Sequence, residues 1–294
     1  MQPTTQRVGL IGWPVDHSVS PAMHNAAFRA LGLAWDYALL PTEPGRVGTA
    51  VDRLRREGFR GANVTVPHKQ TIMPYLDEIT PTAQAIGAVN TIVNHSGRLV
   101  GHNTDAGGFL QSLRRTGFNT TGSRALVLGS GGAARALVYA LLGSGFAHVT
   151  VLGRTPHHTE SLALHLGSVH DWSGCLAALP LTPDALVQQA AVVDLLVNAT
   201  TIGMWPHSDR SPWPDGVPLP PHLVVFDLVY NPPATRLLHR AQAAGAIAIG
   251  GLDMLICQGA LSFELWTGQQ PPEDVMRAAA RQAIENWSQP CYDS

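Results

Sequence analysis

Arg124-Ala125-Leu126-Val127-Leu128-Gly129-Ser130-Gly131-Gly132-Ala133-Ala134 is the stretch on which the fold turns. An apolar run ends in a glycine-rich turn, and helix-forming residues follow through Leu142. That order reads as strand, tight turn, helix. The turn fits G-x-G-x-x-A. Gly129 permits the sharp bend, Gly131 lets a pyrophosphate approach the backbone, and small Ala134 allows close helix–strand packing. Backbone N–H groups of Gly129, Ser130, Gly131, Gly132 and Ala133 would then face the phosphates of a dinucleotide.

The next strand bears on which dinucleotide. Residues 148–152 form a β-branched apolar run, and Gly153-Arg154-Thr155 follow it. An NAD site ends this strand with an acid for the ribose 2′-hydroxyl, and no acid occurs here before Glu160. A guanidinium forks onto a phosphate, so Arg154 favours NADP. A solvent-facing arginine in a loop is the plainer alternative.

Further out, residues 192–198 and 223–228 read as buried strands. Between them six prolines fall in residues 206–221, together with Trp213, and exclude a helix or a central strand. This loop reads either as a flap over a site or as a stiff surface connection. Towards the N-terminus, residues 7–12, 35–40 and 61–66 read as strands. Ser20-Pro21 reads as an N-cap and first helical residue, residues 44–57 as a helix, and Pro67 as the opening of another short helix. Residues 88–93 and 98–101 could pair around His95-Ser96-Gly97, and Asn103-Thr104-Asp105 caps a helix that crosses into the second domain. The alternation implies α/β architecture with a mostly parallel sheet in each half. Two amphipathic helices, 252–266 and 273–287, close the chain.

Composition limits the function. The chain has 294 residues, 45% of them apolar, and a net charge of −2 without a basic run. A dedicated nucleic-acid binder needs an electrostatic footprint that is missing here. Cys175, Cys257 and Cys291 are too scattered for a disulfide framework or a zinc knuckle, and the 13 histidines form no HExxH. The most apolar uncharged stretch, residues 136–153, is broken by Gly143-Ser144-Gly145 and reads as helix, turn and strand. With no basic-then-apolar leader in the first residues, a cytoplasmic protein is the expectation. No metal is expected, and a homodimer is left open as the assembly.

Polar side chains gather at predicted strand ends and helix starts: Ser18, Ser20, Asn63, Thr65, Lys69, Asn90, Asn103 and Asp105. Each has a simpler reading as a cap, a turn residue or a surface charge. As a set, hydroxyls, amides, one amine and one carboxylate suit a small polyol acid better than a metal. Oxidising an alcohol with a nicotinamide requires a group that takes the hydroxyl proton. Lysine can exchange a proton and arginine cannot. Of the 19 basic residues, Lys69 is the only lysine.

The motifs Gly12-Trp13-Pro14-Val15-Asp16-His17-Ser18-Val19-Ser20-Pro21 and Gly61-Ala62-Asn63-Val64-Thr65-Val66-Pro67-His68-Lys69 strongly resemble the shikimate dehydrogenase family. Gly87-Ala88-Val89-Asn90-Thr91, Asn103-Thr104-Asp105, Asn198-Ala199-Thr200, Asp227-Leu228-Val229-Tyr230-Asn231-Pro232 and Gly251-Leu252-Asp253-Met254-Leu255 with Gln258 continue the likeness in order. The resemblance implies NADP-linked reduction of 3-dehydroshikimate to shikimate, a step of aromatic amino-acid biosynthesis. It implies a substrate-binding and catalytic domain, residues 1–104 completed by 251–294, and a Rossmann-type NADP domain, residues 105–250. By its pattern Ser18 and Ser20 hold the substrate carboxylate. Thr65, Asn90, Asp105 and Gln258 take the ring hydroxyls, with Tyr230 nearby, and Lys69 paired with Asp105 transfers the proton. On the cofactor side Arg154 and Thr155 meet the 2′-phosphate, while Thr200, Leu228 and Gly251 lie near the adenosine or nicotinamide.

The chain departs from the pattern in three places. Gly153 replaces the family's Asn before Arg-Thr, His157 or His158 stands where a further basic residue is common, and Asp253 replaces a common Gly. A quinate or aminoshikimate dehydrogenase, or a non-catalytic ligand sensor on the same fold, are the competing readings.

Overall fold

The computed structural model describes residues 5–288. The chain divides into two compact units, Met1–Gly108 with Ile256–Ser294, and Phe109–Leu255.

In the first unit, β1 (Gln6–Gly12), α1 (Ser20–Ala30), β2 (Trp35–Pro41), α2 (Val47–Arg56) and β3 (Gly61–Val64) alternate as strands and helices. Then come β4 (Glu78–Ile79), α3 (Pro81–Ile86), β5 (Thr91–His95), β6 (Arg98–His102) and α4 (Asp105–Arg115). The sheet order is β2-β1-β3-β5-β6-β4. β1 pairs in parallel with β2 and β3, and β4 with β6, whereas β5 runs against both β3 and β6. The sheet is therefore mixed, because Ser96 and Gly97, both at positive φ, form a tight hairpin turn between β5 and β6. Under it Ile11, Leu40, Val51, Leu54, Phe59, Val64, Ile72, Ile92 and Leu99 form one apolar core.

The second unit holds β7 (Arg124–Leu128), α5 (Gly132–Gly143), β8 (His148–Gly153), α6 (Pro156–Val169), β9 (Leu176–Pro180) and α7 (Pro183–Ala190). It continues with β10 (Leu195–Asn198), β11 (Val224–Asp227), α8 (Arg236–Ala243) and β12 (Ile247–Gly250). Its order, β12-β11-β10-β7-β8-β9, is parallel throughout. This is the doubly wound nucleotide-binding topology, with its switch point between β7 and β10. α9 (Leu252–Thr267) and α10 (Glu273–Ser288) end the chain, and α10 packs on α1.

Two local expectations fail. No helix opens at Pro67. His68 N–H bonds to Thr65 O and Ile72 N–H to His68 O, so Lys69 stands on consecutive turns, and only Met73–Tyr75 winds into a short 3₁₀ helix. Ser20 is the first helical residue of α1 rather than its cap, and Ser18 Oγ accepts its N–H at 3.2 Å. The second half of the proline-rich segment is anchored in the core by Trp213 and Leu219. Trp213 is 2% exposed among Leu126, Leu128, Leu196 and Leu237, and Arg240 donates to the carbonyls of Trp213, Pro214 and Val217. These contacts hold residues 213–219 as a stiff connection, whereas residues 204–210 are exposed. No helix among the described residues is long and apolar enough to cross a membrane.

Candidate functional site

In the first unit, Asn90 and Gln258 join one buried ion pair with Asn63 a step behind, whereas Ser18, Ser20 and Thr65 make no hydrogen bond to this network among the described residues. Lys69 Nζ donates to Asp105 Oδ2 at 2.5 Å, with 13% and 5% of the two side chains exposed. Lys69 is fixed through its backbone, whose carbonyl accepts Val89 N–H at 2.7 Å. Asp105 opens α4, and Asn103 Oδ1 accepts Ala106 N–H to cap that helix. The other carboxylate oxygen, Asp105 Oδ1, accepts from Asn90 Nδ2 at 2.9 Å.

Asn90 is the hub of this cluster. Its Nδ2 also reaches Thr104 Oγ1 at 2.9 Å and Gln258 Oε1 at 3.3 Å, while its Oδ1 accepts Thr104 N–H at 2.7 Å and Thr91 Oγ1–H at 3.1 Å. Behind it Ser262 Oγ sits 2.8 Å from Thr91 Oγ1 and accepts from Asn63 Nδ2 at 3.0 Å, and Tyr37 Oη donates to Asn63 Oδ1 at 2.9 Å. Gln258 and Ser262 are one turn apart on α9, hence on one face. Thr65 follows β3, with its N–H on Ile11 O. Ser18 and Ser20 follow β1. Tyr230 belongs to the second unit, beyond β11.

Sequence reasoning missed Thr91, Thr104 and Ser262 as site members. Thr91 and Thr104 lie inside motifs already quoted. Ser262 could have been found from its i+4 spacing after Gln258. His24 lies behind the cluster, stacked on Tyr37 at 4.6 Å with both ring nitrogens unpartnered among the described residues. Burial lowers its pKa to about 3. No group of three or more His, Cys, Asp or Glu able to hold a metal occurs among the described residues.

The second unit collects its singled-out residues at the carboxyl ends of its strands: Gly129 after β7, Arg154 and Thr155 after β8, Thr200 after β10, Leu228 after β11, Gly251 after β12. Parallel sheets present ligand crevices at this edge. Gly129 has φ +107, and a Cβ there would lie 3.1 Å from Ala199 O and 3.2 Å from Thr200 Cγ2. Gly251 packs on the backbone of Leu228 so tightly that a Cβ would overlap it.

α5 begins after Gly131 with no side chain capping its amides, and a Cβ on Gly131 would meet open space. A cradle of bare N–H groups with room before it suits a pyrophosphate. Arg154 is exposed and without a hydrogen bond or ion pair among the described residues, as a guanidinium kept for a phosphate would be. The residues present therefore fit NADP. Buried Thr159 explains the departure at Gly153, because its Oγ1 occupies the place of a Cβ.

The profile described as the shikimate dehydrogenase substrate binding domain matches residues 10–92, and that of the shikimate 5'-dehydrogenase C-terminal domain matches residues 251–281. A shikimate dehydrogenase (NADP(+)) of Symbiobacterium thermophilum is 45% identical over 280 residues, 95% of this chain and 94% of that protein. The shikimate 5-dehydrogenase of Thermus thermophilus, solved with NADP(H) and shikimate, is 42% identical with a TM-score of 0.83, covering 95% of this chain and 99% of that one. Quinate dehydrogenase of Corynebacterium glutamicum, solved with NAD, is 32% identical with a TM-score of 0.85, over 95% and 99%. With a lysine–aspartate pair in one unit, an uncapped glycine turn in the other, and identity of this extent, the chain belongs to the shikimate dehydrogenase family.

Proposed function

We propose that the protein is an NADP-dependent shikimate dehydrogenase that reversibly reduces 3-dehydroshikimate to shikimate, with Lys69 as the proton-transfer residue and Asp105 as its partner. The observation that carries the reading is the buried Lys69–Asp105 pair, 2.5 Å apart and ringed by neutral hydroxyls and amides.

NADPH supplies the hydride when bound. The chain must then deliver a proton to the ketone oxygen, within hydrogen-bond reach. Lys69 Nζ carries that proton, and in the reverse direction accepts it from the hydroxyl. Asp105 Oδ2 fixes the amine in place, and Asn90 fixes Asp105 through Oδ1. Ser18 and Ser20 offer hydroxyls for the substrate carboxylate. Thr65, Asn90, Asp105 and Gln258 serve the ring hydroxyls, with Tyr230 as a further contact.

The Gly129–Ala133 turn would hold the pyrophosphate on backbone amides. Arg154 and Thr155 would hold the 2′-phosphate, and Thr200, Leu228 and Gly251 the remainder of the dinucleotide. Division into a substrate domain, residues 1–104 with 251–294, and an NADP domain, residues 105–250, belongs to the same reading. So do a cytoplasmic location and, for light scattering to check, a homodimer.

The test is reduction of NADP+ and NAD+ with shikimate, with quinate and without substrate, repeated for Lys69→Ala. Turnover of shikimate with NADP+ that is lost in the variant is expected. Preference for quinate with NAD+ would transfer the protein to its quinate-acting relatives, and no turnover of either acid would favour a sensor.

A further inference from the structure

Asp227 ends β11 with no exposed surface, and no cation pairs with it among the described residues. Its charge rests on three neutral donors. Oδ1 accepts from Asn198 Nδ2 at 2.9 Å and from Val229 N–H at 3.1 Å, and Oδ2 accepts from Thr235 Oγ1–H at 2.7 Å. An unpaired buried carboxylate is costly, so its retention calls for a reason.

Following the bonds outward supplies one. Asn198 ends β10, and its Oδ1 accepts both the N–H of Thr200 at 3.1 Å and the hydroxyl of Thr200 at 2.6 Å. Its Nδ2, already on Asp227, also reaches Ile202 O at 3.2 Å, and Thr200 Oγ1 accepts Ile202 N–H at 3.1 Å. The loop after β10 and the loop after β11 thus hang from one carboxylate. Those loops carry Thr200 and Leu228. We propose that Asp227 and Asn198 form a positioning pair that holds Thr200 and the Leu228–Val229 backbone in the shape that receives the dinucleotide, and that ionised Asp227 is the competent form. The proposal rests on the NADP reading above.

Ionisation matters because a carboxylate accepts at both oxygens, whereas a protonated carboxyl must turn one oxygen into a donor and give up a bond. Burial raises the pKa of Asp227 to about 6, against the opposing pull of its bonds with Thr235, Val229 and Asn198. Its neighbours carry little charge toward it. β10 and β12 contribute none in their Leu195–Asn198 and Ile247–Gly250 spans. On α8, Arg236 and Arg240 are both engaged by Asp215, and His239 is the remaining titratable group. Loss of the competent form is therefore expected as pH falls through about 6.

Asp227→Asn keeps the shape and removes the ionisation. The measurement is the Kd of NADP+ for the unmodified enzyme and for Asp227→Asn between pH 5 and 8. The expected ratio of variant to unmodified Kd is about tenfold at pH 8, the worth of one charge-assisted bond, and falls toward one at pH 5. Taking the ratio cancels titration of the nucleotide phosphate. Asn198→Ala should raise the Kd at pH 8 by a similar factor. If it does not fold, the Asp227→Asn ratio decides alone. NADP+ binding by the unmodified enzyme with a ratio independent of pH overturns the proposal and leaves the functional reading standing. Absence of NADP+ binding to the unmodified enzyme removes both.

Discussion

Lys69 Nζ and Asp105 Oδ2 stand 2.5 Å apart where 13% and 5% of their side chains reach solvent, and Asn90 holds the second oxygen of the same carboxylate at 2.9 Å. The carboxylate is therefore held at both oxygens, one by the amine and one by the Asn90 amide. A charge at this place is insufficient for the chemistry assigned to it. The proposed mechanism also requires Lys69 to release and take up a proton.

Lys69→Arg separates those two requirements. Arginine keeps the positive charge toward Asp105 and cannot act as a base. The expected result is a fall in kcat of about 10²–10⁴, the usual worth of a general acid–base residue, with shikimate KM changed by less than about threefold. Steady-state kinetics with NADP+ and shikimate measure both. Near-normal kcat would return Lys69 to the role of a buried counter-ion.

Asn90→Ala tests the hub. The substitution deletes the donor to Asp105 Oδ1 and the acceptor of Thr104 N–H, both buried. Each stranded group costs about 1–3 kcal/mol, so urea unfolding should show a loss of at least about 2 kcal/mol. Activity should fall as well, because Asp105 loses one of the bonds that orient it. A variant of unchanged stability would mean that the network relaxes around the gap.

Much of the fold was legible because hydrophobic period and glycine chemistry act locally. The strand, glycine turn and helix from Arg124 to Leu142 appear as read, down to the broken apolar stretch around Gly143. The helix expected at Pro67 was illegible because its competitor is tertiary: Lys69 O is taken by Val89 N–H from a distant segment. β4, β9 and β12 are edge strands, and none carries the fully buried apolar run by which β10 and β11 were read. The site was legible as residue types, and Lys69, Asn90, Asp105 and Gln258 do meet. Thr91, Thr104 and Ser262 stood beside residues already singled out, but that their hydroxyls meet across a strand, a loop and a helix is a tertiary fact that no local period carries.

Gly153→Asn examines the departure in the cofactor motif. Because Thr159 Oγ1 fills the place of a Cβ, and Ser130 Oγ would lie 3.3 Å away, asparagine alone should destabilise the protein by about 1–3 kcal/mol. Thr159→Ala removes the obstructing hydroxyl. The double variant should recover most of that loss, giving a coupling of at least about 1 kcal/mol in a double-mutant cycle on denaturation midpoints. Simple additivity would show that Thr159 does not exclude the asparagine.

His24→Phe tests what the buried imidazole costs. His24 is fully buried, stacked on Tyr37 at 4.6 Å, with neither ring nitrogen bonded among the described residues. Phenylalanine satisfies the same stacking without stranding polar atoms, so stability at pH 7 should be equal or higher. The pH dependence is more telling. Burial lowers the His24 pKa from 6.5 to about 3, so below pH 6.5 the unfolded chain binds a proton that the folded chain refuses. Stability is therefore lost as pH falls from about 6.5 toward 3, and the variant escapes this loss. Asp227, its pKa raised to about 6, has the opposite sign, since its folded form takes a proton first and gains stability as pH falls. Because both proteins keep Asp227, its contribution cancels in the difference. The gap in unfolding free energy should open by about 2–3 kcal/mol between about pH 7 and about pH 4.5, measured by chemical denaturation at several pH values. A gap that stays constant over that range would mean that the imidazole finds a proton-tolerant partner in the folded protein.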